Sequence, residues 1–148
     1  MTIFFSKVRE VETPTIGTVG SAGIDFYIPK EFSSDFLTIL GNSSILIPSG
    51  IKVNLPSNTC LILHNKSGIS TRDNLIVGAC VIDEDYQGEM HFHLFNMTKG
   101  EVRLKPGQKI VQGILLPNYC KDLVQLPIED LYSVTSERGD GGFGSTGV

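Results

Sequence analysis

A chain of 148 residues, 41% hydrophobic and 19% charged, is long enough to close one core and too short to make two domains the simpler reading. Its formal net charge of −4, without any Lys/Arg run, excludes a surface built for stable nucleic-acid or membrane binding. No segment approaches the ~18 consecutive apolar residues of a membrane-spanning helix. The N-terminus lacks a basic region followed by an apolar stretch, so no secretory signal is expected. Cys60, Cys80 and Cys120 form no C-x-x-C pair and read as reduced, mostly buried thiols of a cytoplasmic protein.

In chain order the sequence predicts many short strands. Thr2 to Val8 is β-branched or aromatic enough for an opening strand. Gly17 to Gly23 is a small-residue loop, and Ile24 to Ile28 is a strand stopped by Pro29. Asp25 is a carboxylate inside that apolar run, either an edge residue bonded to a neighbouring loop or a functional group. Glu31 to Leu40 has room for a helical turn. Ser44 to Ile47, Ile51 to Leu55 and Thr59 to His64 alternate with Pro-Ser-Gly and Pro-Ser-Asn turns, which predicts successive hairpins. The corner Asn65-Lys66-Ser67-Gly68 sets backbone N–H groups beside a hydroxyl and an ammonium, parts that suit an anion. Ile69 to Asn74 is the remaining helix candidate.

The centre of the chain carries the chemistry. Ala79 to Ile82 runs into Asp83-Glu84-Asp85-Tyr86-Gln87-Gly88, and Glu89 to Asn96 follows as a second strand, the outline of a hairpin. A carboxylate fixed at a strand end suits a general base, although a solvated acidic turn has the same composition. His91-x-His93 is a metal-like pair, but with no third ligand in view it reads first as packing or surface. Glu101 to Leu104 and Lys109 to Leu116 are further strands, and Gln112 interrupts the second with an amide that must find partners if buried. Asp122 to Val134 connects without a clear period. The final twelve residues, from Glu137, are rich in glycine around Arg138 and Phe143, a bidentate fork and a stacking face.

Five stretches together resemble the motifs of the trimeric deoxyuridine triphosphatases (dUTPases). They are Ala22-Gly23-Ile24-Asp25, Lys66-Ser67-Gly68, Gly78 through Gly88, Gly107-Gln108-Lys109-Ile110-Val111-Gln112, and Arg138 through Gly147. The resemblance covers nearly the whole chain and implies an all-β, jelly-roll-like barrel or sandwich over residues 1–136. Residues 137–148 would form a flexible glycine-rich arm closing over a neighbouring subunit's site. It implies a homotrimer that hydrolyses dUTP to dUMP and pyrophosphate with Mg²⁺, limiting uracil in DNA and supplying dUMP. Asp83 would activate the attacking water. Tyr86 would lie beneath deoxyribose, while the backbone around Val81, Ile82 and His91 reads the uracil edge. Lys66, Ser67, Gly68 and Gln112 would meet phosphates, and Asp25 would support the metal side through water. Arg138 would bind the γ-phosphate, Phe143 would stack on uracil, and Gly144, Ser145 and Thr146 would complete the arm's contacts.

Three departures qualify the resemblance. Asn65-Lys66 stands where the family has Pro-Arg, Cys80 where glycine is common, and His91 and His93 where apolar or small residues are usual. The stretch from Glu31 to Asn42 is longer than usual, and a surface loop there, open to a regulatory protein partner, is expected. Two other functions remain: a binding protein gated by dUTP, and a dCTP deaminase of the same fold. The Asp83-Glu84-Asp85-Tyr86 stretch and the Phe143 arm favour the hydrolase.

Overall fold

The computed structural model describes residues 1–32, 35–120 and 122–141. Among them lie twelve short strands and one short α-helix. The strands are β1 (Phe4–Lys7), β2 (Thr15–Ile16), β3 (Ile24–Tyr27), β4 (Leu37–Ile39), β5 (Ser44–Pro48), β6 (Ile51–Asn54) and β7 (Thr59–Asn65). After helix α1 (Ser67–Asp73) come β8 (Leu75–Val77), β9 (Val81–Ile82), β10 (His91–Asn96), β11 (Val102–Leu104) and β12 (Lys109–Pro117). The helix ends at Asn74, whose positive φ of 50° suits the short amide side chain at a helix C-terminus.

All pairings are antiparallel. The main sheet has the order β2-β3-β12-β7-β9, a second has β5-β10-β8, and two ribbons pair β1 with β6 and β4 with β11. The expected successive hairpins are therefore not present. β5 pairs with β10, β6 with β1, and β7 with β12 and β9. The central hairpin is likewise corrected, because β9 and β10 belong to different sheets. Turn residues mark where a chain reverses but do not say which strand it meets next. Here reversal carries the chain from one sheet to the other. The helical turn expected within Glu31 to Leu40 is a single 3₁₀ turn at Lys30–Phe32, and β4 follows at Leu37–Ile39.

Alternation explains how the sheets face each other. On β10, Phe92, Leu94 and Asn96 point into the core while His91, His93 and Phe95 point away. Phe92 meets Phe26 of β3, ring centroids 6.2 Å apart, so the second sheet packs on the main one. Ile28, Ile47, Leu61, Leu63, Leu104 and Ile110 fill the space around that pair. Asn96 is buried among them without penalty, since its amide donates to the carbonyls of Ile39, Leu40 and Gly100 at 3.0, 3.1 and 2.8 Å.

Beyond β12 the described chain makes no further strand. Leu123, Val124, Leu126, Ile128, Leu131, Tyr132 and Val134 are all exposed around a 3₁₀ turn at Ile128–Asp130. The cysteines are free, yet Cys60 and Cys80 are half-buried and Cys120 is exposed, so the expectation of mostly buried thiols does not hold. Among the described residues no helix is long and apolar enough to cross a membrane.

Candidate active site

Two side-chain clusters gather most of the described candidate residues. The first is a pocket of about 200 Å³ lined by Leu46, Ala79, Val81, Ile82, Asp83, Tyr86 and His91. β9 supplies its wall because only two residues, Val81 and Ile82, pair with β7 at the sheet edge. Ile82 turns into the core and Val81 faces out. The chain then leaves the sheet at Asp83, whose carbonyl accepts the Tyr86 N–H at 3.2 Å to close a turn. Asp83 thus sits at the end of a paired strand, as a fixed base needs, although the partner is β7 and not the following strand.

The return from that turn is held side chain by side chain. The Tyr86 hydroxyl donates to the Glu89 carbonyl at 2.9 Å, and the Tyr86 ring lies so close to Gly88 that any Cβ there would overlap it. His91 Nδ1 is 2.9 Å from the same carbonyl. A carbonyl can only accept, so Nδ1 carries the proton and, in neutral His91, Nε2 is left as an acceptor. The Glu89 carboxylate takes two bonds from Arg9 at 2.7 and 3.2 Å and one from the Gly50 N–H at 2.7 Å. Burial alone would raise its pKa, but Arg9 and Gly50 outweigh burial and hold it below the usual carboxylate range. Arg9 also reaches Glu31 at 2.6 Å and stands over the Phe32 ring. Nothing local in the sequence links Arg9 to Glu89, eighty positions on, so this brace was not foreseen.

The second cluster lies around Asp25. On β3 that residue is opposite both Thr15 of β2 and Gln112 of β12, so it is interior to the main sheet, not at an edge. Its carboxylate accepts from Lys66 Nζ at 2.7 Å and Lys109 Nζ at 2.9 Å. Burial pushes the Asp25 carboxyl up, and the two ammonium groups more than reverse it, leaving the group below its ordinary value. The bond to Asp25, above all, holds Lys109 charged. Gln112 Nε2 donates to the Asn65 carbonyl at 2.9 Å, and a Cβ at Gly23 would come within 2.8 Å of its Oε1. Asn65 Oδ1 in turn accepts the Val77 N–H at 2.7 Å. Lys66 is the residue just before α1, with Ser67 and Gly68 in its first turn. Lys109 stood within a recognised motif without an assigned role, and its pairing with Asp25 was not foreseen.

The two clusters share no lining residue. Arg138 is exposed and donates from Nε to the Gly141 carbonyl at 2.7 Å. Phe143, Gly144, Ser145 and Thr146 lie outside the described residues. Among the described residues no group of three or more His, Cys, Asp or Glu could hold a metal ion.

Comparison with known proteins identifies the family and the fold. The dUTPase family model matches residues 9–147. The deoxyuridine 5'-triphosphate nucleotidohydrolase of Candida albicans is 34% identical over 136 residues, covering 92% of this chain and 81% of that one. The dUTPase of Staphylococcus bacteriophage 80alpha, solved with dUpNHpp, superposes with a TM-score of 0.85 at 21% identity and covers 99% of both chains. A mutant dUTPase of phage phi11 of S. aureus, solved for its structural Mg(II) ion, reaches a TM-score of 0.74 at 18% identity, over 85% of this chain and 97% of that one. The likeness to these structures gives the all-β, jelly-roll-like fold, and the family match over nearly the whole length is decisive: this chain belongs to the dUTPase family.

Proposed function

We propose that this chain is a dUTP diphosphatase, hydrolysing dUTP to dUMP and pyrophosphate at a site that combines both clusters. The observation that carries the reading is the small pocket that Asp83, Tyr86 and His91 line together beside the Val81–Ile82 strand. A pyrimidine nucleoside fits such a space, with Tyr86 beneath the sugar and the backbone of Val81, Ile82 and His91 along the base edge. Asp83 accepts a proton from a water whose oxygen bonds to the α-phosphorus. The bond from that phosphorus to the α,β-bridging oxygen breaks, and its electron pair leaves with pyrophosphate. Positioning the water and dispersing the charge supply the rate enhancement.

The phosphates are assigned to the second cluster. Lys66, Ser67, Gly68 and Gln112 bind them, with Arg138 at the γ-phosphate and Phe143, Gly144, Ser145 and Thr146 of the arm closing over the base. An acidic protein that binds a polyanion needs cations delivered locally, and the Lys66–Asp25–Lys109 triad concentrates two of them. Mg²⁺ carried by the triphosphate would offset charge on the leaving pyrophosphate. In this reading Asp25 supports that metal through water, while each of its oxygens accepts one lysine bond.

The two clusters meet across subunits of a homotrimer. Support comes from the segment after β12, where seven large apolar side chains from Leu123 to Val134 lie exposed on their own subunit. Residues 1–136 act as the enzyme domain and 137–148 as the arm. Three free cysteines are in keeping with a cytoplasmic location. The test offers each deoxynucleoside triphosphate with Mg²⁺ to the wild type and to Asp83→Asn, and follows pyrophosphate. dUTP alone should turn over efficiently, and the variant should lose at least ~10²-fold in rate while still binding. Equal turnover of dCTP, or a variant of normal rate, would overturn the reading.

A further inference from the structure

His93 is a residue to which neither the pocket nor the phosphate cluster gives a role. It lies on the outward face of β10, two residues from His91. Across the ladder it is opposite Leu46, which lines the nucleoside pocket. On its other side runs the bend Gly78-Ala79-Cys80, which leads directly into the pocket wall at Val81. Gly78 carries no side chain, Ala79 is exposed, and neither lies in a strand.

Three hydrogen bonds fix the bend, and His93 makes two of them. The His93 carbonyl accepts the Gly78 N–H at 2.8 Å, and the ring nitrogen Nδ1 accepts the Ala79 N–H at 3.2 Å. The third runs from the Leu63 N–H to the Cys80 carbonyl at 2.7 Å. Only the second depends on a side chain. The ring is itself confined, packed against Phe95 with centroids 4.5 Å apart and planes tilted by 53°, and so close over Gly78 that a Cβ there would collide with it. Because Nδ1 accepts, the neutral imidazole carries its proton on Nε2, the opposite tautomer to His91.

We infer that His93 is a positioning residue for the pyrimidine pocket, its Nδ1 anchoring the Ala79 amide so that the Gly78–Cys80 bend presents Ala79 and Val81 to the base at a fixed distance. The inference rests on the nucleoside-pocket reading above. Losing the bond leaves an exposed N–H that water satisfies, so the fold tolerates the loss. What changes is the spread of positions the pocket wall occupies before substrate arrives, and that cost falls on ground-state binding of the base.

The test compares the full chain as wild type, His93→Phe, His93→Asn and Tyr86→Ala in steady-state hydrolysis of dUTP, with melting curves. Phenylalanine keeps a ring on Phe95 but has no acceptor. Asparagine sets an acceptor oxygen where Nδ1 was. His93→Phe should raise KM about five- to tenfold with kcat within about twofold, the size expected for one lost anchoring bond. His93→Asn should return KM to within about twofold of wild type, and Tyr86→Ala should raise KM on its own account. Equal KM increases in His93→Phe and His93→Asn, or a loss confined to kcat, would make His93 a packing residue and overturn the inference. If Tyr86→Ala raises KM and His93→Phe does not, the pocket stands and the inference falls. If neither variant alters KM, the pocket reading fails and takes the inference with it. Should His93→Phe not fold, the smaller His93→Leu carries the same expectation.

Discussion

Replacing Asp25 with asparagine removes the one negative charge between Lys66 and Lys109 and leaves both ammonium groups in place. Asp25 is only 5% exposed, while the lysine side chains are 30% and 40% exposed. A charge-assisted bond contributes up to about 1.5–3 kcal/mol when well shielded, but water reaches both lysines and screens part of that. The amide oxygen of asparagine still accepts from one lysine, whereas its NH₂ faces the other donor to donor. The net loss is then roughly 2–3 kcal/mol at neutral pH, between an exposed and a fully buried ion pair. In a chain of this size that lowers Tm by roughly 5–10 °C, read by calorimetry at equal protomer concentration because assembly makes Tm concentration-dependent.

The pH dependence has a defined sign. The folded-state pKa of Asp25 is depressed, so its contribution is complete above the unfolded value near ~3.9 and is lost as pH falls through the folded value below it. The gap in Tm between wild type and Asp25→Asn should be constant near neutrality and close only in acid. A variant melting within about one degree of wild type at pH 7 would refute the energetic argument, as would a gap that persists unchanged into strong acid.

Lys66→Ala should weaken dUTP binding more than dUMP binding, measured by titration calorimetry; equal affinities in wild type and variant for both nucleotides would make Lys66 a structural partner of Asp25 alone. Ending the chain after Ser136 should leave melting and oligomer size nearly unchanged and remove most dUTP hydrolysis, since ordering so polar an arm at on the order of 1–2 kcal/mol per residue needs ligand contacts. Phe143→Ala should cost less than that truncation, because Arg138 remains. Ending the chain after Cys120 instead should dissociate the proposed trimer, seen by light scattering, because it removes the exposed apolar segment; an intact trimer would show that this segment does not join subunits.

How much the sequence discloses depends on how local each feature is. Strand positions follow from β-branched runs bounded by Pro, Gly and Asn, and nearly every expected strand is present within a residue or two. Pairing does not follow, because β7 meets β12 some fifty residues later through a register that no turn between them encodes. The same limit governs the site. Asp83, Tyr86 and His91 share one short stretch, so their common pocket could be expected before the fold was known. Asp25, Lys66 and Lys109 stand on three separate segments, and Arg9 and Glu89 lie eighty residues apart; only the folded sheets bring either group together.

The departure at Lys66 shows what the structure adds to a motif. Read as sequence, lysine in place of arginine keeps a charge and loses a planar fork, which leaves open whether the charge still reaches a phosphate. In the fold its ammonium is already committed to Asp25, and Lys109 is committed to the other oxygen of the same carboxylate. One carboxylate cannot neutralise two ammonium groups, so the triad keeps a net positive charge in a protein whose formal charge is −4. A compact ammonium can turn one N–H toward Asp25 and swing its other two toward a second acceptor, whereas a guanidinium engaged with a carboxylate holds its remaining donors fixed in one plane. On the proposed reading, Asp25 serves the phosphates by holding the cations in place. This is why Asp25→Asn and Lys66→Ala should differ: the first costs stability and position together, the second mainly the charge that a triphosphate meets.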